Sequence, residues 1–103
     1  MVYIAYLTYF FAGAFLANGV PHFVHGISGK RFQSPFSSPP GVGESPPVVN
    51  VIWGLANFVA AYVLIFVAGD FTPGFTMSAL IAAIGFFATS VGLAVQFGRV
   101  RGR

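Results

Sequence analysis

The chain has 103 residues, of which 56% are hydrophobic and 7% are charged, and its mean hydropathy is +0.82. Soluble domains carry about 25% charged residues, and a small domain leaves much of its surface uncovered, so this composition predicts lipid around most of the chain. The net charge of +3 then indicates membrane orientation and not a nucleic-acid partner. The absence of cysteine excludes disulfides, thiolate metal sites and cysteine nucleophiles.

The first apolar run, residues 2–20, predicts a transmembrane helix, because about 20 residues cross the hydrocarbon core. It starts without a positive residue and is followed by no small-residue cleavage site, which favours a retained helix over a signal peptide. Gly13 and Ala17 form a small-xxx-small pair that is typical of helix packing in membranes. Asn18 lies near the end of the run, where we expect it to reach the membrane interface.

Residues 21–47, PHFVHGISGKRFQSPFSSPPGVGESPP, contain six of the seven prolines and predict a long irregular loop. Connections of this length are uncommon and are usually functional or disordered. The phenylalanines spaced through the segment favour an ordered loop at the cytoplasmic headgroup level, and a re-entrant segment is the alternative. The residues expected to contact lipid or a partner are Phe23, Lys30, Arg31, Phe32 and Phe36.

His22 and His25 are the two candidate ligating residues, and their spacing places them on one face of a helical turn. A zinc site normally takes three or four protein ligands, so we predict no metal here. One histidine is enough for an axial bond to haem or chlorophyll, so cofactor binding at either residue stays open. The alternative that we favour is that His22, after Pro21, bonds the free carbonyls at the end of the first helix. The nearby GISGKR lacks the spacing of a phosphate loop.

Residues 48–68 predict the second transmembrane helix. Five of its residues recur at intervals of three and four and therefore share one face, which we expect to pack against another helix: Asn50, Trp53, Gly54, Asn57 and Ala61. The amide of Asn57 lies about two turns inside the span, and a polar group at that depth requires an internal partner.

Residues 69–75, GDFTPGF, predict a short external loop, and residues 76–98 predict the third transmembrane helix. The second and third helices are expected to form an antiparallel hairpin. The third carries a stripe of small residues, which we interpret as a packing face within the bundle: Gly85, Ala88, Thr89 and Gly92. The alternative is that such a stripe docks onto another protein.

The basic residues predict the orientation of the chain in the membrane. Lys30 and Arg31 lie in the first loop, and the basic tail 99–103 holds the other three arginines. Three spans place these two regions on the same side, which the positive-inside rule makes cytoplasmic. We therefore predict an all-α membrane protein with three transmembrane helices, its N-terminus outside and its C-terminus inside.

Residues 18–58 resemble a pattern carried by small uncharacterised inner-membrane proteins of alphaproteobacteria. The pattern runs from a first span into G-x-P-H-F, a Gly-x-x-Gly turn, F-x-x-P-F, P-P-G and then N-V-x-W-G. The matching residues are Gly19, Pro21, His22 and Phe23; Gly26 and Gly29; Phe32, Pro35 and Phe36; Pro39, Pro40 and Gly41; and Asn50, Val51, Trp53 and Gly54. This resemblance implies a bacterial inner-membrane location and no particular activity.

A looser resemblance, carried by FFAGAFLANGVPHF at residues 10–23, is to DoxX-like proteins, small helical bundles associated with quinone-linked oxidation. Those proteins usually have four spans, and this chain has three. By size alone the chain is also similar to protein W, a small subunit of some photosynthetic cores that leaves a path for quinone.

Two functions follow from these observations. The first is a non-enzymatic accessory subunit that packs against a larger energy-converting complex, photosynthetic or respiratory, because the sequence offers no catalytic set and several small-residue faces. Its partners would be the lipid bilayer and other membrane subunits, and no nucleic acid. The alternative is a DoxX-like protein that binds quinone or haem through His22 or His25, with Trp53, Asn50 and Asn57 lining the pocket. A transporter is less favoured, because no span holds an ionisable residue.

Overall fold

The computed structural model describes residues 2–102, and these form three long helices and one short β-hairpin. The helices are α1, Val2–Ile27, α2, Pro47–Ala68, and α3, Met77–Arg101. The strands are β1, Phe32–Gln33, and β2, Glu44–Ser45. Each helix is long and apolar enough to cross a membrane, which confirms the predicted three-helix membrane architecture at that level.

The outer surface of the bundle is strongly apolar. Large side chains on every helix are exposed, including Leu7 on α1 at 60%, Val67 on α2 at 71% and Phe87 on α3 at 69% of their full area. Exposed apolar surface of this extent along all three helices fits contact with acyl chains and not with water. The helices therefore bury little against one another, and their contacts depend on a few specific residues.

Helix α1 lies between the other two. It packs along both α2 and α3, whereas α2 and α3 hardly touch each other, although a short connection joins them. Relative to α1, helix α2 runs antiparallel and helix α3 runs parallel. The second and third helices are therefore antiparallel, as expected, but they do not pack against each other as a hairpin.

The first helix is longer than its apolar run. Residues 21–27 belong to α1, so Pro21 lies inside the helix, although the loop was predicted to begin there. Proline removes one hydrogen bond and crowds the preceding turn, which usually ends a helix. Here contacts with α2 continue beyond the proline: a methyl group added at Gly19 would overlap the Gly54 carbonyl, and one added at Gly26 would overlap Val51. Tertiary packing thus keeps the last turns helical, as is common in membrane helices.

Helices α1 and α3 approach through glycine. A methyl group added at Gly13 would overlap the carbonyl oxygen of Ala82, and one added at Gly85 would overlap that of Phe10. Only glycine allows the two backbones to lie this close, in the manner of small-residue interfaces in membranes.

The connection between α1 and α2 folds into a compact hairpin. Its strands pair in antiparallel register, Phe32 with Ser45 and Gln33 with Glu44. The buried Ser34 fixes the turn, because its Oγ lies 2.5 Å from Ser45 Oγ and accepts a 3.1 Å bond from the amide of Phe36. The predicted irregular loop thus contains a hydrogen-bonded core.

The C-terminal end of α3 packs against this hairpin. The Arg101 guanidinium donates to Gln33 Oε1 at 2.9 Å, lies 3.3 Å from Glu44 Oε2, and sits 4.7 Å above the Phe32 ring. The first loop and the end of α3 therefore occupy the same end of the bundle, here called the hairpin end. Arg103, the last residue of the predicted basic tail, lies outside the described residues.

Candidate functional site: a histidine held by a buried amide

The most polar part of the interior lies where α1, α2 and the hairpin meet. Asn50, near the start of α2, is fully buried. Its Nδ2 lies 3.2 Å from the Phe32 carbonyl, 3.1 Å from that of Ser45 and 3.3 Å from that of Pro46. Its Oδ1 lies 2.9 Å from His22 Nδ1. One amide therefore joins the two strands, the start of α2 and the histidine of α1.

These contacts fix how the His22 imidazole is oriented. Because the Asn50 amide nitrogen faces carbonyl oxygens, its oxygen must face the ring, and His22 Nδ1 must be the donor. In the neutral ring the proton is then on Nδ1, and the lone pair is on Nε2. No described residue forms a hydrogen bond with Nε2. Histidines that bind metals or polar ligands are commonly oriented by this kind of second hydrogen bond.

Aromatic rings surround the imidazole of His22, a residue that is only 3% exposed. The ring centroids of Phe32, Phe97 and Trp53 lie 5.4, 6.1 and 6.3 Å from that of His22, all in edge-on geometry. The rings come from the hairpin, α3 and α2, so all parts of the fold contribute to this environment. An apolar enclosure with one free polar nitrogen is suited to a flat or ring-shaped ligand.

A cavity of about 340 Å³ opens beside this histidine. We call it the histidine cavity. The helices contribute Asn18, His22, Trp53, Gln96 and Phe97 to its wall, and the hairpin region contributes Gln33, Ser34, Pro35, Pro40 and Gly41. Its volume lies at the lower end of the range, about 300–1,000 Å³, that small-molecule sites occupy.

Trp53 supplies a second unusual polar group. Its indole Nε1–H is buried and has no hydrogen-bond partner among the described residues. A buried donor without a partner costs about 1–3 kcal/mol, so such groups are rare unless a ligand or water uses them. Trp53 also lines the histidine cavity. His22, with its free acceptor, and Trp53, with its unpaired donor, are thus both lining residues of the histidine cavity.

A pair of amides lies on the membrane side of the cavity. Asn18 Nδ2 donates to Asn57 Oδ1 at 2.9 Å, and Asn57 Nδ2 donates to the Trp53 carbonyl at 2.8 Å. Asn57 therefore has the internal partner that its depth requires. Asn18 was expected to reach the interface, but it faces α2 because it lies on the buried side of the lengthened α1.

The two histidines have different roles in the fold. His22 is inside α1 and does not bond a terminal carbonyl, which corrects the interpretation that we favoured. His25 does not do so either: its Nδ1 lies 2.7 Å from the Pro21 carbonyl, which is inside α1, and its ring stacks on Phe32 with centroids 4.1 Å apart. His25 does not line the histidine cavity.

The residues predicted to contact lipid or a partner divide into two groups. Lys30, Arg31 and Phe36 are exposed, and Arg31 also donates to the Glu44 carbonyl at 3.2 Å. Phe23 is half-buried and packs against Gly54 of α2. Phe32 is 3% exposed, so the expectation that it dips into lipid is wrong: β1 turns it inward, beneath Arg101.

The predicted packing faces are distributed as follows. Gly13, Ala17 and Gly85 are buried, as are Asn50, Gly54 and Asn57, while Trp53 and Thr89 are half-buried. Ala88 is exposed, and a methyl group added at Gly92 would meet nothing within 4 Å. The stripe on α3 therefore does not pack within the chain beyond Gly85 and Thr89, because α1 contacts the neighbouring face that carries Ala82.

Sequence reasoning missed several wall residues. Gln33 and Ser34 looked like ordinary loop residues, and Gln96 and Phe97 looked like the end of a span. Their assembly depends on the long-range pairing of β1 with β2 and on the position of α3, for which the sequence contains no local signal. Asn18 had a signal, since it precedes His22 by four residues and shares its helix face.

The described residues include no group of three histidine, aspartate or glutamate side chains close enough to hold a metal ion. Comparisons with protein-family models, with curated proteins and with solved structures find no match to this chain. The geometry of the site permits hydrogen bonding or axial ligation by His22 Nε2, in an aromatic enclosure at the hairpin end of the bundle.

Proposed function

We propose that this protein is a non-enzymatic membrane protein that binds a small lipophilic ring compound in the histidine cavity. The observation that carries the proposal is the free Nε2 of a buried histidine whose other nitrogen is bonded to Asn50. A buried imidazole oriented by an amide is arranged in advance to accept a hydrogen bond or to ligate.

Of the two ligand classes that the sequence left open, quinone fits the cavity better than haem. The volume of about 340 Å³ accommodates one substituted ring. A quinone in its reduced form has a hydroxyl that donates to His22 Nε2, and in either form it has an oxygen that accepts from the Trp53 indole. Haem would use the histidine alone and would leave the indole without a partner.

The proposal places the cavity at the cytoplasmic face of a bacterial inner membrane. The hairpin end carries Lys30, Arg31, Arg99 and Arg101, and the positive-inside rule makes such an end cytoplasmic. The C-terminus is then inside and the short connection 69–76 is outside. Reporter fusions after residue 30 and residue 102 should report the same compartment, and opposite compartments would contradict this orientation.

The test uses the two histidines as a matched pair. The protein is purified in mild detergent, and its absorbance spectrum and organic extract are compared with those of His22→Ala and His25→Ala. We expect bound quinone in the wild type and in His25→Ala, and a loss of at least about tenfold in His22→Ala, because only His22 lines the cavity. A Soret band lost with His22 would favour haem. Equal ligand content in all three proteins would contradict the proposal.

A second candidate function is that of an accessory subunit of a larger membrane complex. The exposed small residues Ala88 and Gly92 favour it, because they leave a face of α3 on which another helix can approach closely. Gly92→Leu should then abolish co-purification of partner subunits without unfolding the bundle. Co-purification unchanged in this variant, or a wild type that migrates alone in a gentle extract, would exclude this face as the interface.

A further inference from the structure

A second cavity, of about 400 Å³, lies at the end of the bundle opposite the hairpin. We call it the tyrosine cavity. Its wall comes from the start of α1, the end of α2, the connection and the start of α3, through Ala5, Tyr6, Tyr9, Ala68, Asp70, Thr72, Thr76, Met77 and Ser78. It shares no residue with the histidine cavity, so it is independent of the function proposed above.

Hydrogen bonds hold part of the wall of this cavity in a defined conformation. Ser78 Oγ accepts from the Thr72 amide at 3.0 Å and lies 3.2 Å from the Thr72 carbonyl, and the Thr76 hydroxyl also bonds that carbonyl. Thr76 caps α3 by accepting from the amide of Ala79 at 3.3 Å. These bonds hold the connection against α3 and fix the backbone next to Asp70.

The charged side chain in the described wall of this cavity is acidic. Asp70 is an exposed carboxylate that forms no ion pair or hydrogen bond with the described residues. No lysine or arginine among the described residues lines the cavity, because the basic side chains occur at residues 30, 31, 99 and 101.

Two tyrosine rings accompany this carboxylate. Tyr9 is 2% exposed and is held in place by an edge contact with Phe71, with ring centroids 5.5 Å apart. Tyr6 is half-buried one turn earlier on the same face of α1. Aromatic rings together with a carboxylate are the groups that recognise organic ammonium ions.

We propose that the tyrosine cavity binds the ammonium group of an organic amine, either a free amine or the head group of an amino lipid. The carboxylate of Asp70 provides the opposite charge, and the tyrosines provide aromatic surface and hydroxyl acceptors. The cavity lies at the end of three membrane-spanning helices, which is the level that lipid head groups occupy.

The four tyrosines of the chain allow a direct test by NMR of protein labelled with ¹³C on the tyrosine rings. Tyr6 and Tyr9 line the cavity, whereas Tyr3 and Tyr62 are exposed at 79% and 66% and serve as internal controls. Choline is titrated into protein in uncharged detergent. In a second arm, without choline, lipid nanodiscs of phosphatidylethanolamine are compared with nanodiscs of phosphatidylglycerol.

We expect selective shifts of the Tyr6 and Tyr9 signals. Shifts with choline identify a free amine as a ligand, and shifts only in phosphatidylethanolamine nanodiscs identify the lipid head group. Asp70→Asn should weaken the choline response about fivefold, as expected for an exposed ion pair, and Glu44→Gln, at the other end, should leave it unchanged. Raising the salt concentration should weaken the response as well.

Two results would overturn the proposal: no selective shift of Tyr6 and Tyr9 in either arm, or an unchanged response in Asp70→Asn. Asp70 forms no described side-chain bond, so this variant should keep the fold, which the Tyr3 and Tyr62 signals report. His22→Ala should leave the choline response intact. Failure at one cavity is thereby distinguished from failure at the other.

Discussion

The two sides of α1 meet their neighbours by different physical means. Toward α2 the interface is held by amides, through His22 with Asn50 and Asn18 with Asn57. Toward α3 it is held by close backbone approach, through Gly13 and Gly85. Lipid is as apolar as leucine, so burial of apolar side chains does not distinguish one helix pairing from another. The glycine side allows the two backbones to pack closely, and the amide side adds directional hydrogen bonds and a polar site.

The largest effect is expected on the glycine side. Gly85→Leu would drive its side chain into the Phe10 carbonyl, and neither backbone can move away without losing the rest of the α1–α3 contact. We expect a loss of about 3 kcal/mol in stability, the upper end for overpacking. Unfolding in mixed micelles of mild detergent and sodium dodecyl sulfate, followed by circular dichroism, measures it.

Gly92→Leu is the matched control, because it makes the same change in the same helix where nothing lies within 4 Å. Its stability should stay within about 0.5 kcal/mol of the wild type, as for other exposed substitutions. If the two variants were equally stable, α3 would not pack on α1 through Gly85.

The next effect is expected at the buried amide. Asn50→Leu leaves His22 Nδ1 without its acceptor, and the carbonyls of Phe32 and Ser45 without their side-chain donor. We expect a loss of about 2–3 kcal/mol, the cost of stranding buried polar groups, together with loss of ligand from the histidine cavity. The same unfolding assay and the organic extract measure the two losses. Ile52→Leu, on the exposed face of α2, should change neither, and a stable, ligand-bound Asn50→Leu protein would contradict the account.

A smaller coupling is expected between the two amides deeper in the membrane. Asn18→Leu, Asn57→Leu and the double variant form a double-mutant cycle for the 2.9 Å bond. Hydrogen bonds between membrane helices contribute about 0.6 kcal/mol on average and about 1.7 at most, so we expect a coupling energy in this range. A value of zero would show that these side chains do not bond in the bilayer.

The smallest effect is expected where α3 holds the hairpin. Arg101 and Glu44 have side chains 36% and 44% exposed, and such ion pairs contribute less than about 1 kcal/mol. Arg101→Ala should therefore leave global stability almost unchanged while it speeds hydrogen exchange at the hairpin amides of Gly41 and Gly43, which bond within the turn. Lys30→Ala is the control, because it removes an exposed basic side chain that bonds neither Glu44 nor α3 among the described residues. Unchanged exchange in Arg101→Ala would show that α3 does not restrain the hairpin.

Composition and run length were enough to predict three membrane helices, because the length of an apolar run is a local property. The end of α1 could not be predicted in this way. Pro21 is a local stop signal, and it is overridden by contacts of Gly19 and Gly26 with α2, which only the folded chain contains. That shift of seven residues also changed the role of His22 from a helix-end residue to a buried one.

Sequence patterns pointed to His22 and Trp53 of the cavity wall but neither to the rest of the wall nor to its arrangement. His22, Asn50, Trp53 and Asn57 were all singled out by their polarity in apolar surroundings. Helical spacing could not show that Asn50 lies behind the histidine and not in the cavity wall, because the choice depends on the hairpin carbonyls that occupy its amide nitrogen. The prediction that the small-residue stripe on α3 packs within the bundle was only partly right, for a related reason. Gly85 belongs to two possible helix faces, and the position of α1 selects the face that also carries Ala82.

The most direct test of the account is the position of the proton on neutral His22, read by ¹⁵N NMR of protein labelled at histidine. The Asn50 contact predicts a protonated Nδ1 and an unprotonated Nε2. The Nε2 signal should shift when quinone is added. In Asn50→Leu the ring should no longer be held in this single tautomer. His25 is the internal reference, since its Nδ1 bonds the Pro21 carbonyl outside the cavity. A proton on Nε2 of His22, or an Nε2 signal unaffected by quinone, would contradict the proposed site.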